Sequence, residues 1–357
     1  MDFLPRIESL RGIAAVAVVG YHVGHLFDDS PAAGAVDAFA FRAFMGISNG
    51  IGAVVAFFVL SGFVLARSLD ANPDTARYFR NRFFRLFPAA IAVVGLLAAL
   101  HSLFGIYVGF EAEFDPLNVV LNMLMIRSDI NGPMWSMTAE CFATPLILLS
   151  LLLFKRHGAL PLGILILLLF ALSFWGPYVH MLGGVTNLAP LYAFVVGVLV
   201  HCRGERVAAA INPRWAELVA ALAVLAFCVL GTRKQTAPIL MLECLSTATF
   251  IVLVVWHPAA RIFNPLDLKL VRFYGRISYS LYLLHMLGIL FAVRIFGPMV
   301  HRVSSSVFAE AVLTTLFAIL LVTPLAYLSW RFIELPFIAI GRRLGGRSPA
   351  FAIKRIV

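Results

Sequence analysis

Ten apolar segments, each long enough or nearly so to cross a bilayer as a helix, dominate this sequence and leave room for little else. They fall at 8–27, 46–66, 86–105, 134–154, 159–177, 187–202, 214–231, 238–256, 277–297 and 307–330. About 20 apolar residues cover the hydrocarbon thickness as α-helix. Apolar residues make up 61% of the 357, against roughly 45–50% in soluble domains. Charged residues make up 13%, about half the usual quarter. A disordered chain needs low hydrophobicity and high charge, so it is excluded. A soluble enzyme is a poor fit, because too few polar side chains remain to cover its surface. The expectation is an all-α polytopic membrane protein with about ten transmembrane helices, forming one domain over 1–340 with a short basic tail at 341–357. The stretch 116–126 is short, and its Pro116, Asn118 and Asn122 suit a re-entrant or interfacial piece. The first segment does not read as a cleaved leader, since Asp2, Glu8 and Arg11 flank it and many further spans follow.

Charge placement gives the topology. Cytoplasmic loops collect Lys and Arg. With the N-terminus cytoplasmic, 22 of the 28 cations fall on inner segments and 6 on outer ones (Arg42, Arg127, Arg233, Lys234, Arg294 and Arg302). That split predicts both termini inside, the pair Arg233/Lys234 being its weak point. The net charge of +10 does not point to nucleic acid, because the cations are spread over many inner loops. Cys141, Cys202, Cys228 and Cys244 are scattered, with no Cys-x-x-Cys or Cys/His ligand spacing, so neither a metal site nor a disulfide framework is expected. No P-loop, dinucleotide fingerprint or metalloprotease motif is present.

Ionisable groups inside spans are costly and tend to be functional. Arg11 and His22 are eleven residues apart, three turns plus ~20°, so they share one face of a helix about 16 Å apart along its axis. A cation at one membrane surface with an imidazole deeper along the same face suits a ligand with an anionic head and an extended tail. The plain alternative is a surface anchor and a satisfied interior histidine. Glu140 follows Pro133 by seven residues, about two turns below the outer surface and so level with His22. There a carboxylate could fix an imidazole's tautomer, or only join helices. Arg77, Arg80, Arg82 and Arg85 form a cluster in which Arg82 and Arg85 share a face. Arginine binds phosphate bidentately, and a lipid-headgroup role competes. Ser61-Gly62 reads as a packing point, since no nucleophile elbow surrounds it. His285 sits among Ser278, Tyr279, Ser280 and Tyr282, where helix joining is at least as natural as catalysis.

Six blocks of these residues resemble the acyltransferase 3 family of multi-pass membrane acyltransferases. They are Ile7-Glu8-Ser9-Leu10-Arg11-Gly12 running to Tyr21-His22, Phe57 to Phe63 with Ser61, Arg82 to Pro88 with Arg85, Asn131 to Glu140 with Trp135, Ser278 to His285, and Arg331 to Phe337 with Glu334. The resemblance runs from residue 7 to 337 and implies ten spans with both termini inside. It implies transfer of an acyl group, usually acetyl, from cytoplasmic acyl-CoA to a hydroxyl, with acyl-CoA (acetyl-CoA) as co-substrate and no permanently bound cofactor. Acceptors in the family are commonly sugars of lipopolysaccharide, exopolysaccharide or lipo-oligosaccharide, and sometimes macrolides. A bacterial cytoplasmic (inner) membrane, with membrane lipid around the chain, goes with that chemistry. His22 matches the essential family histidine, and Arg11, Arg82 and Arg85 the essential arginines. Cys141 stands where some members carry a second acid, Val55 where many carry Asp, and Leu335 where Lys is frequent. Two rival readings are a glycolipid transporter or flippase without acyl transfer, and an assembly protein whose buried polar groups only join helices.

Overall fold

The computed structural model describes residues 4–108, 111–174, 190–303 and 305–344, the side chains of 301–303 apart. The described residues contain no strand, and each of the ten apolar segments carries a helix. In chain order these are α1 (Pro5–Gly24), α2 (Ala35–Ser48), α3 (Gly50–Ala71), α4 (Thr75–Phe104), α5 (Pro116–Met123), α6 (Trp135–His157), α7 (Leu160–Ser173), α8 (Leu191–Ala209), α9 (Ala216–Gly231), α10 (Ala237–Trp256), α11 (Lys269–Val303), α12 (Val307–Ser329) and α13 (Leu335–Arg343). Eight of the helical stretches are long and apolar enough to cross a membrane. The other two of the ten fall short for identifiable reasons. α7 has 14 residues, and α8 carries Arg203, Glu205 and Arg206 in its last turns. Parts of the segments 159–177 and 187–202, and most of the tail 341–357, lie outside the described residues.

Several elements differ from the sequence expectation in extent. α4 starts eleven residues early, because Asp74 caps it by accepting from Arg77 N at 2.9 Å. Its arginine cluster is therefore helical, and it ends at Gly105, whose φ of 63° glycine adopts without strain. α2 fills what reads as an outer loop. Its Asp37 accepts from Ser306 Oγ at 2.5 Å, Val307 N at 3.0 Å and Phe308 N at 3.1 Å, and so caps the start of α12. The 116–126 stretch contains the short α5, capped by Asp115. After α12 the chain widens into a π-helical turn at Trp330–Glu334 before α13.

The seam between α1 and α11 organises the site. The two helices run parallel and in register. Arg6 bonds Asp267 at 2.6 and 3.0 Å where they begin. Ser9 Oγ donates to Leu266 O at 2.6 Å. One turn on, Gly12 meets Gly275 so closely that a Cβ on either would strike the other helix's backbone. The same sequence separation that joins Gly12 to Gly275 joins His22 to His285 further along. Small residues permit this approach where lipid supplies no hydrophobic drive between helices. Asp267 lies outside the membrane-length helices. The Arg6 bond, opposed by slight burial and helped by Arg272, holds its carboxyl below the usual range.

α3 runs through the middle of the bundle, packed on α1, α6, α8 and α10. Its Gly62 backs onto Phe194 O and Gly197 of α8, with no space for a side chain. α6 enters beneath a tightly bonded loop. Asn118 and Asn122 donate to Asp129 at 2.7 and 2.8 Å. Partial burial pushes Asp129 up, but those two bonds outweigh it and hold the carboxyl below its ordinary range. Thr138 Oγ1 donates to the carbonyl of Met125, at 2.7 Å, and Met125 itself takes a left-handed φ of 56°.

Candidate active site

Arg82, on the buried face of α4, lies 2.7 Å from the Glu140 carboxylate of α6, and both side chains are more than 90% buried. Ser61 Oγ of α3 donates to the same carboxylate at 2.8 Å. Three helices thus meet at one acid. A buried pair of this kind is costly to break, because the surviving charge has no partner (about 3–5 kcal/mol). Arg11 of α1 and Arg85 of α4 are different. No ion pair among the described residues involves either, yet each lies within electrostatic reach of the other and of Glu334. Glu334, 2% exposed, projects from the π-helical turn and accepts from Ser280 N at 3.0 Å and from Ser280 Oγ. Single π-helical turns within α-helices are frequent at functional sites.

Between these groups lies a cavity of about 20 Å³, lined by Arg11, Ser61, Ser136, Glu140, Tyr279 and Tyr282 among others. That is roughly room for one water. Tyr279 OH donates to Leu86 O at 2.6 Å. Tyr282 OH donates to Pro133 O at 2.9 Å and meets Ser136 Oγ at 2.8 Å. Trp135 packs edge-on against Phe58 of α3, ring centres 6.2 Å apart, so it lines the approach of α6 and makes no hydrogen bond at the cluster.

His22 lies at the other end of α1, half-buried, its ring 5.2 Å from that of His285. His285 is fully buried, and its Nδ1 is 2.5 Å from Tyr282 O. Glu140 is not the partner of His22. Ser136 is level with Tyr282, which precedes His285 by three residues. Glu140 lies four residues further along α6 in the opposite direction. At 1.5 Å per residue the carboxylate is roughly 10 Å nearer Arg11 than the histidine pair is. Counting depth from Pro133 misplaces it, because the start of α6 is already sunk beneath the loop at 124–131. The structure therefore divides the expected residues into two groups. Arg11, Arg82, Arg85, Ser61, Glu140 and Glu334 gather at one level, and His22 with His285 at another. Tyr282 touches both.

Glu243 of α10 is a buried acid outside the expected set. It is fully buried and accepts from Asn49 Nδ2 at 2.8 Å. Its position as the one acid within the apolar segment 238–256 is the sequence signal that marks it. Among the described residues no group of His, Cys, Asp and Glu is arranged to hold a metal ion.

The arrangement, cations at one end of a helix face and an imidazole at the other, with hydroxyls and a buried acid between, suits a polar substrate held along α1. No curated protein and no solved structure matches the chain. The acyltransferase 3 family model, described as an acyltransferase domain, matches residues 4–331. That match spans the α1 cation, the buried acid of α6, the histidine pair and the start of the π-helical turn. The chain belongs to the acyltransferase 3 family of membrane acyltransferases.

Proposed function

We propose that this protein moves an acyl group, acetyl by preference, from acyl-CoA to a hydroxyl of a carbohydrate acceptor such as an exopolysaccharide, lipopolysaccharide or lipo-oligosaccharide. In this reading the chain crosses a bacterial inner membrane ten times with both termini cytoplasmic, so the Arg11 end of α1 faces the cytoplasm and the His22 end the outer side. The charge split of 22 to 6 supports that orientation. Arg11 and Arg85, cations without an ion pair among the described residues, would meet the donor's phosphates, which favour guanidinium for its bidentate geometry. Arg82, already matched by Glu140, would set the shape of the passage beside them. His22 would take the proton of the acceptor hydroxyl. The alkoxide oxygen forms a bond to the thioester carbonyl carbon, the C–S bond breaks, and the CoA sulfur leaves carrying the electron pair and collects that proton. An acyl-histidine intermediate balances equally well.

The observation that carries this reading is the shared face of Arg11 and His22, about 16 Å apart, roughly the reach of a pantetheine arm. The test is transfer of radiolabelled acetyl from acetyl-CoA by the purified protein, wild type against His22→Ala, in membranes supplying cell-surface glycans. Loss of transfer in the variant supports the proposal. Equal release of CoA by both would exclude His22 as the reacting base. Movement of glycolipid without CoA consumption would favour a flippase.

A further inference from the structure

The geometry points to His285 as the positioning residue of His22, the two imidazoles forming a proton-ordered pair in which His285 Nε2 accepts from a His22 N–H. This rests on the reading of His22 as the base of the reaction. Three observations carry it. First, His285 Nδ1 lies 2.5 Å from Tyr282 O. A carbonyl oxygen only accepts, so Nδ1 carries the hydrogen and Nε2 keeps its lone pair. Second, Nε2 is buried and has no hydrogen-bond partner among the described residues. A buried acceptor left empty costs free energy until a donor reaches it. Third, the His22 ring is 5.2 Å away, centre to centre, tilted by 32°. An N–H···N bond of ordinary length puts two imidazole centres roughly 5 Å apart.

One donor nearby is committed elsewhere. Tyr282, whose ring is 5.5 Å from His285, spends its hydroxyl on Pro133 O. A small rotation of the half-buried His22 ring therefore satisfies His285. With one nitrogen donating to His285, the other nitrogen of His22 is left with a lone pair for an acceptor hydroxyl. When His22 has taken the proton it still donates to His285, so the pair survives the step. The device does for His22 what a carboxylate does in most base–orienter pairs, but with a neutral acceptor. In hydrocarbon that matters, since an unpaired carboxylate there is far more costly to desolvate than an imidazole. It also explains why Glu140, 10 Å or so away, is free to serve Arg82 and Ser61 instead.

The test uses the full chain in lipid nanodiscs, labelled with ¹⁵N-histidine, as wild type, His285→Ala and His285→Gln, with His22→Ala to assign the signals. The wild type should show His22 as a single tautomer. In His285→Ala the His22 signals should become a mixture of tautomers, and kcat should fall about tenfold to a hundredfold while KM for the acyl donor holds. His285→Gln, whose amide oxygen accepts a hydrogen bond, should restore the single tautomer and part of the rate. Unchanged His22 signals in a folded His285→Ala chain would overturn the inference, as would a rate loss that the Gln variant shares in full. Should His285→Ala not fold, the wild-type spectrum decides alone. A through-bond nitrogen–nitrogen coupling between the two rings supports the pair, and a His22 tautomer mixture refutes it. The spectrum needs no turnover, so its outcome is independent of whether acyl transfer itself is found.

Discussion

The two ends of the α1 face are built on opposite principles. At the Arg11 end, both buried acids are met by bonds from other helices. Glu140 answers Arg82 and Ser61, and Glu334 answers Ser280 twice. At the His22 end, the His285 imidazole is pinned by a backbone carbonyl on one side, and its other nitrogen has no hydrogen-bond partner among the described residues. A densely bonded cluster fixes helices in place, and a sparsely bonded one leaves its groups free to engage something that arrives. The contrast places rigidity around the charged cavity and chemical freedom at the histidines.

The sharpest way to break this contrast is to remove the acid that anchors the rigid end. Glu140→Gln strands Arg82 as a buried charge and should destabilise the protein by about 3–5 kcal/mol, read as a large fall in melting temperature in detergent. His22→Ala should lower that temperature much less, since it leaves a single neutral acceptor unmet (about 1–3 kcal/mol). If both substitutions destabilise equally, the two ends are not built differently. Next in size is the donor side. Arg85→Ala or Arg11→Ala should raise KM for acyl-CoA about tenfold to a hundredfold, the worth of a charged hydrogen bond of roughly 1.5–3 kcal/mol. An unchanged KM would return these arginines to a lipid-anchor role. Gly275→Val tests the seam that connects the ends. Its side chain would strike the Glu8 backbone, and overpacking of this kind costs about 1–3 kcal/mol. Activity should fall with stability, because the His22–His285 contact depends on the same register.

The smallest effect is expected at the start of the seam. Asp267 has its carboxyl held below the ordinary range by Arg6 and Arg272. Its contribution is therefore complete above the unfolded-chain value, near 3.9, and is lost as pH falls through the lower folded value. The pair is partly exposed, so about 1 kcal/mol or less is at stake. The melting-temperature gap between wild type and Asp267→Asn should be present at pH 7 and close toward pH 3. A gap that does not close would show that the carboxylate charge is not what binds Arg6.

Much of this was legible in the chain itself. Apolar length located the helices, and the eleven-residue interval of Arg11 and His22 needed only helical geometry. What escaped depended on tertiary level rather than on residue type. The sequence places Glu140 at the wrong depth because a bonded loop sinks the start of α6, and no local pattern encodes that. α2 gives no separate sequence signal because its helix lies in a stretch that carries polar punctuation on both sides. The neighbourhood of His22 and His285 joins residues far apart in sequence, and only the glycine seam brings them to the same height. The carbonyl that selects the tautomer of His285 leaves no signature in residue types.

The narrowness of the cavity beneath Tyr282 has a consequence for the membrane. A space of about 20 Å³ admits roughly a single solvent molecule. A thioester tail that threads this constriction must displace side chains of α3, α6 or α11 and then itself plug the gap. Under the proposed reaction, such a plug would let the enzyme expose its chemistry to both faces in turn without letting protons or ions leak down their gradients.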